Sequence, residues 1–221
     1  MRDRLQKLAD RAIGRPPIVY SARNSPQAVA LTFDDGPSQW TAPVAAALER
    51  HGCLGTFFMR GAAVEGHPEV AAAVAAAGHD IGNHLWTHSD PDGQSINELA
   101  DEIDRTATAI SEATGVETTM VRPPYCGAPR AVARAAHGGR TRMVVLRSVD
   151  PADWDTSSAD EIVERVLAAI APGAIVCMHD GIPEGSSGSP TRGPTVEAVE
   201  RLVPELRRRG LEPVTVSRLL A

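Results

Sequence analysis

Ala28-Val29-Ala30-Leu31-Thr32-Phe33-Asp34-Asp35-Gly36-Pro37-Ser38 is the stretch on which the fold class turns. Its apolar run from Ala28 to Phe33 reads as a buried strand, and it stops on two adjacent carboxylates before a Gly-Pro turn. Neighbouring strand residues face opposite ways. Asp34 and Asp35 can therefore serve different partners at one strand end if the chain leaves the strand there, as Gly36 and Pro37 require. In isolation the same four residues also describe an acidic turn ahead of a helix capped by Ser38.

The pattern repeats along the chain. Apolar strand segments are predicted at Ala28–Phe33, Leu54–Met59, His79–Asn83, Thr118–Arg122, Arg142–Val149, Ala174–Met178 and Glu212–Val216. Between them, Ala-rich segments of helical period run over Thr41–His51, Pro68–Ala77, Ile96–Thr114, Ala128–His137, Ala159–Ala171 and Thr195–Arg209. Seven strands alternating with helices imply an α/β fold with parallel pairing. Strands this apolar are covered on both faces, which leaves a closed or nearly closed (β/α) barrel or an open doubly wound sheet. The first strand is not followed by a Gly-rich phosphate loop, which counts against a nucleotide-binding sheet.

At 221 residues and 43% hydrophobic content the chain can bury one sizeable core, and one domain is expected over residues 28–221. Residues 1–27 form a lead-in, in which Leu5, Leu8 and Ala12 lie at the spacing of a short helix. With 22 basic against 28 acidic residues and no basic block, no nucleic-acid partner and no anionic membrane surface is expected. Cys53, Cys126 and Cys177 are odd in number and lack metal-ligand spacing, so no disulfide framework is expected. The absence of an apolar leader core and of any membrane-length apolar run predicts a cytoplasmic protein. Gly181–Pro194 reads as a long loop with two open assignments, a cover over substrate or a structureless segment.

Polar residues with catalytic potential fall at the C-terminal ends of five predicted strands, where α/β folds build their sites. These are Asp34 and Asp35; Asn83, His84 and His88; Arg122; Asp150, Asp153 and Trp154; and His179 and Asp180. His84 and His88, four apart, can reach one metal ion from one side of a turn. A carboxylate from Asp34 or Asp35 would complete a two-histidine, one-carboxylate set with open positions.

Taken in order, Thr32-Phe33-Asp34-Asp35-Gly36, Asn83-His84 with His88, Arg122-Pro123-Pro124-Tyr125, Asp153-Trp154 and Met178-His179-Asp180-Gly181 resemble the polysaccharide deacetylase (NodB-homology) family, carbohydrate esterase family 4. The likeness spans Ala28 to Leu220 and implies a distorted (β/α) barrel, TIM-barrel-like, of about seven strands. It also implies a metal-dependent hydrolase that removes acetyl groups from N-acetylated sugars. By that resemblance Asp35, His84 and His88 hold a divalent metal, expected to be zinc with cobalt or nickel as alternatives. Asp34 is then the general base and Arg122 its orienting partner. The Tyr125 backbone N–H serves the oxyanion, His179 is the general acid with Asp153 behind it, and Trp154 is a wall.

Leu85, Cys126 and Cys177 depart from the family pattern: a hydroxyl is missing after the first histidine, a residue is inserted after Tyr125, and a thiol replaces the usual Leu before the acid. These changes bear on substrate more than on chemistry. The expected substrate is a small N-acetylated amino sugar or a sugar-bearing biosynthetic intermediate. Two alternatives remain: a relative acting on a non-sugar amide or ester, and an inactive glycan-binding barrel.

Overall fold

In the computed structural model, which describes residues 15–22 and 27–221, the opening strand is the hub of the molecule. β2 (Ala28–Asp34) pairs in parallel with β3 (Thr56–Met59), β7 (Ile175–His179) and β8 (Glu212–Val214). The sheet runs β1 (Ile18–Val19), β6 (Met143–Val145), β5 (Met120–Val121), β4 (Asp80–Asn83), β3, β2, β7, with β8 on β2, which makes eight strands among the described residues. The eighth, β1, lies in the predicted lead-in and was invisible to pattern reading because two residues carry no periodicity. The helix expected around Leu5, Leu8 and Ala12 lies outside the described residues.

The two edges approach each other without a full ladder. A parallel bridge joins Val149 to Val176 and an antiparallel one joins Ser21 to Ala174, which closes the barrel in a distorted way. The strand predicted over Arg142–Val149 holds its ladder only through Val145. Beyond it the backbone has another partner, for the Val145 and Leu146 carbonyls accept from the Arg122 guanidinium.

Strand parity divides the core. Val29, Leu31 and Phe33 point outward into the main cluster beneath the helices, with Phe57, Met59, Val176 and Met178. Ala30, Phe58, Met120, Val145 and Ile175 point inward and fill the barrel with Val214 and Val216. Leu31, Phe33 and Phe57 are wholly buried, each stabilising the fold by about 1.5–3 kcal/mol. Counting by twos from the inward residues reaches Thr32 and Asp34 on β2, Cys177 and His179 on β7, and Arg122 after β5. One parity therefore brings five polar groups to the same end of the barrel.

The helices α1 (Thr41–Arg50), α2 (Gly61–Gly66), α3 (Pro68–Ala76), α4 (Ile96–Thr114), α5 (Pro129–Ala135), α6 (Ala159–Ala169), α7 (Gly193–Arg208) and α8 (Val216–Leu220) surround the strands. α4 begins at a capping box in which Ser95 and Glu98 each accept from the other's backbone N–H, and Gly115 ends it with φ 72°. Its apolar stripe, Leu99, Ile103 and Ile110, is buried. α8 corrects the sequence reading, which ran the last strand to Val216. Thr215 caps a helix there, and the Val216 N–H turns to the Thr56 hydroxyl.

Candidate active site

Asp35 leaves β2 in the left-handed region, φ 82°, so its carboxylate swings away from Asp34 and toward the turn after β4. There His88 Nε2 lies 3.1 Å and His84 Nε2 3.5 Å from Asp35 Oδ1. His84 Nδ1 is 2.7 Å from the Arg122 carbonyl oxygen, which can only accept, so Nδ1 carries a proton and Nε2 is the ring nitrogen turned to Asp35. Asp35 Oδ1 is buried without a hydrogen bond despite these short contacts. Burial would raise this carboxyl, but the two histidines hold it well below the usual carboxylate range. Three donor atoms facing one another, one an orphaned anionic oxygen, fit a divalent cation.

The turn that presents the histidines is braced from two sides. Asn83 Oδ1 accepts from the Leu85 N–H, and Glu102 of α4 accepts from the Trp86 and Thr87 N–H groups and the Thr87 hydroxyl. Glu102 supplies the support that Leu85, lacking a hydroxyl, does not. It escaped sequence reading because its partners lie far from it along the chain. Asp35, His88, Tyr125 and Cys126 line the cavity with positive φ, and Leu85 between the histidines has φ 61°. Non-glycine residues held there cost of order 1–3 kcal/mol each, and such strain gathers at functional sites.

Asp34 faces the cavity from the inner side of β2. Arg122, wholly buried, donates from one terminal nitrogen to Asp34 Oδ1 at 2.7 Å and to the Thr32 hydroxyl at 2.7 Å, and its guanidinium lies 4.1 Å from the Phe58 ring centroid. The contact with Asp34 is single, through one guanidinium nitrogen. The other nitrogens of Arg122 serve the Val145 and Leu146 carbonyls. Burial pushes the Asp34 carboxyl up, but Arg122, with His84 and His179 nearby, outweighs it and keeps the group low and ionised. Cys177 donates its thiol to Asp34 Oδ2 at 3.3 Å.

His179, the register partner of Asp34, is bound at Nδ1 by Asp153 Oδ1 at 2.7 Å. Asp153 is itself fixed, its Oδ2 accepting from the His179 N–H and the Thr195 hydroxyl. Burial lowers the imidazolium, but Asp153, helped by Asp35 and Asp34, raises His179 to about 9. Thr195, on α7, is another positioning residue without a sequence signal. Asp180, the other candidate at this strand end, accepts from the Gly36 N–H and the Thr41 hydroxyl and braces the first turn.

These groups line a cavity of about 390 Å³ with Tyr125, Cys126, Arg147, Asp150, Cys177 and Trp154 on its walls. The Tyr125 ring sits 4.8 Å from the His88 ring and its side chain is largely exposed. Pro183, Gly185, Ser186 and Ser187 of the long loop also line it. Arg192, buried, ties that loop down by donating to the carbonyls of Gly181, Ser189 and Thr191. Among the histidines outside the motifs, His79 is a packed structural group that accepts from the Gly55 N–H.

Residues 21–142 match the family model described as polysaccharide deacetylase. A chitooligosaccharide deacetylase from Bradyrhizobium sp. (strain ANU 289) is 39% identical over 200 residues, covering 87% of this chain and 90% of that protein. The chain belongs to the polysaccharide deacetylase family. A second family member, the peptidoglycan-N-acetylglucosamine deacetylase PgdA of Listeria monocytogenes serotype 1/2a, is 33% identical over 192 residues, 86% of this chain and 38% of that longer protein. Among solved structures, the Bc1960 peptidoglycan N-acetylglucosamine deacetylase superposes with a TM-score of 0.85 at 30% identity, covering 92% of each chain. BA3943 of Bacillus anthracis, described as a CE4 family pseudoenzyme, superposes equally well, with a TM-score of 0.84 at 25% identity over 93% of this chain and 69% of its own. Within this family, then, the fold alone does not decide activity.

Proposed function

We propose that this chain is a metal-dependent N-deacetylase that removes acetyl groups from N-acetylglucosamine units of short oligosaccharides or of small amino-sugar compounds. The observation that carries it is the convergence, in one cavity, of the Asp35, His84 and His88 donor set with a low-pKa carboxylate, Asp34, and a raised-pKa imidazole, His179. Asp35, His84 and His88 would hold a divalent ion, zinc in the first instance, which when bound polarises an amide carbonyl and acidifies water.

Asp34, held ionised by Arg122, accepts the proton of the attacking water at Oδ2. His179, protonated up to about 9, delivers a proton from Nε2 to the departing amine nitrogen as the amide C–N bond breaks. Two groups of opposite resting charge can thus perform both transfers at neutral pH. The Tyr125 backbone N–H is assigned to the developing oxyanion and Trp154 to the wall against the sugar. Retention of both proton carriers argues for turnover over a purely glycan-binding role.

A short substrate fits the cavity, which the Pro183–Ser187 segment borders on one side, and a chitooligosaccharide deacetylase is a relative of nearly the same length. Acetate release by protein loaded with one equivalent of zinc, compared across N-acetylglucosamine, its short β-1,4 oligomers and insoluble chitin, tests the assignment. Highest turnover on the soluble compounds is expected. Greater specific activity on the insoluble polymer, or no release from any of them, would overturn it.

A further inference from the structure

Cys177 is unused by this mechanism, yet it points at the middle of it. Cys177 and His179 are two apart on β7 and share its inner face, while Asp34 is the β2 partner of His179. One donor atom from each lies within 4.8 Å of the others. Asp34 and His179 each have one atom committed elsewhere and one turned to this cluster. Arg122 takes Asp34 Oδ1 and leaves Oδ2; Asp153 takes His179 Nδ1 and leaves Nε2; the Cys177 thiol already addresses Asp34 Oδ2.

We infer that Asp34, Cys177 and His179 form a second, inhibitory binding site for thiophilic divalent ions, separate from the Asp35, His84 and His88 set. A tetrahedral zinc ion, with bonds of about 2.3 Å to sulfur and about 2.0 Å to a carboxylate oxygen, holds those two donors about 3.5 Å apart. Cys177 Sγ and Asp34 Oδ2 stand 3.3 Å apart before any ion enters. Sulfur also sets the selectivity. A Cys, His, Asp set favours zinc, cobalt or cadmium over magnesium or manganese, which the thiol-free first site would tolerate better.

Loading this site expels the Cys177 thiol proton and the His179 ring proton to solvent, with no change of oxidation state. That exchange makes it the weaker site, filled only when metal exceeds one equivalent. Once filled, it occupies the two groups assigned above to proton transfer, and excess metal switches the enzyme off. The inhibition rests on those proposed roles, whereas the binding does not.

Titration of the metal-free protein with cobalt separates the two. The second equivalent, and not the first, is expected to bring a near-ultraviolet thiolate-to-cobalt charge-transfer band together with proton release. Cys177→Leu and the volume-conserving Cys177→Ser should lose that band, while Cys126→Ala keeps it. Excess zinc should inhibit acetate release, with at least tenfold more zinc required in Cys177→Leu relative to its own one-equivalent activity, and manganese should not inhibit. Absence of the band at saturating cobalt, or its persistence in both Cys177 variants, would overturn the site. A band without inhibition would overturn the inhibitory role. Failure of the deacetylase assignment would appear instead as no acetate release at one equivalent, with the spectral result unaffected.

Discussion

β2 and β7 end alike, on Asp34-Asp35-Gly36 and His179-Asp180-Gly181, and yet the two ends do different things. They lie side by side, with Asp34 in register with His179 and the Asp180 N–H donating to the Asp34 carbonyl. Each glycine is required by the other end. A Cβ on Gly36 would stand 2.3 Å from Asp180 Oδ2, and one on Gly181 would stand 2.4 Å from the Asp35 carbonyl oxygen. The second carboxyls, Asp35 and Asp180, are where the ends diverge.

Asp180 accepts hydrogen bonds from the Gly36 N–H and the Thr41 hydroxyl, and burial, with the charges of Asp35 and Asp34, pushes it up to about 7. Asp35 has an oxygen with no hydrogen bond and is kept well below the usual range by two histidines. What a buried carboxyl can do depends on what its hydrogen bonds leave free. Both Asp180 oxygens are taken by donors of the first turn, which makes it a brace, whereas Asp35 keeps an oxygen free beside two histidines, the donor set assigned above to a metal. The first residues diverge in the same way, Asp34 clothed by a cation and His179 by an anion.

Removing those partners should have the largest effects. Arg122→Met leaves Asp34 buried without its cation, and breaking a buried pair in this way costs about 3–5 kcal/mol. Urea denaturation should register a loss of that order, and turnover should fall with it. Asp153→Asn acts on the other end. In the acid role proposed for His179 the protonated form is the working one, so activity should be lost as pH rises through its pKa, about 9 in the intact site. Without the Asp153 charge that pKa falls toward about 6.5, and the alkaline limb of the rate profile should move down in pH. An unmoved limb in an active variant would place the acid elsewhere.

The smallest effect is expected from Asp180→Asn in the metal-free protein. Because the folded-state pKa of Asp180 is raised, its contribution to stability is full at low pH and is lost as pH rises through about 7. The Asn variant has no such proton to lose. Its melting temperature should therefore gain on the parent's as pH increases, and a constant difference would show that Asp180 is ionised throughout.

Much of this site could be read from residues alone because its chemistry follows local rules. A four-residue spacing joins His84 to His88, and strand ends deliver Asp34, Asp35, Arg122 and His179. What stayed hidden arrives from elsewhere in the fold. Glu102 on α4 fixes the turn carrying the histidines, Thr195 on α7 holds Asp153, and Thr32 receives Arg122. None has a spacing that links it to its partner. The short elements were missed for a different reason: β1 has two residues and α2 six, too few for a period to register. The barrel's closure was equally illegible, since isolated bridges at Val149 and Ser21 make it.

The proposed function divides two adjacent carboxylates, Asp34 and Asp35, between proton transfer and metal holding. Bound zinc and acetate release should be measured side by side in Asp34→Asn and Asp35→Asn, each supplied with one equivalent. Asp34→Asn is expected to retain the metal and lose activity by roughly a hundredfold or more, as for removal of a positioned base. Asp35→Asn is expected to lose both. Metal lost from Asp34→Asn, or metal and activity kept in Asp35→Asn, would refute that division of roles.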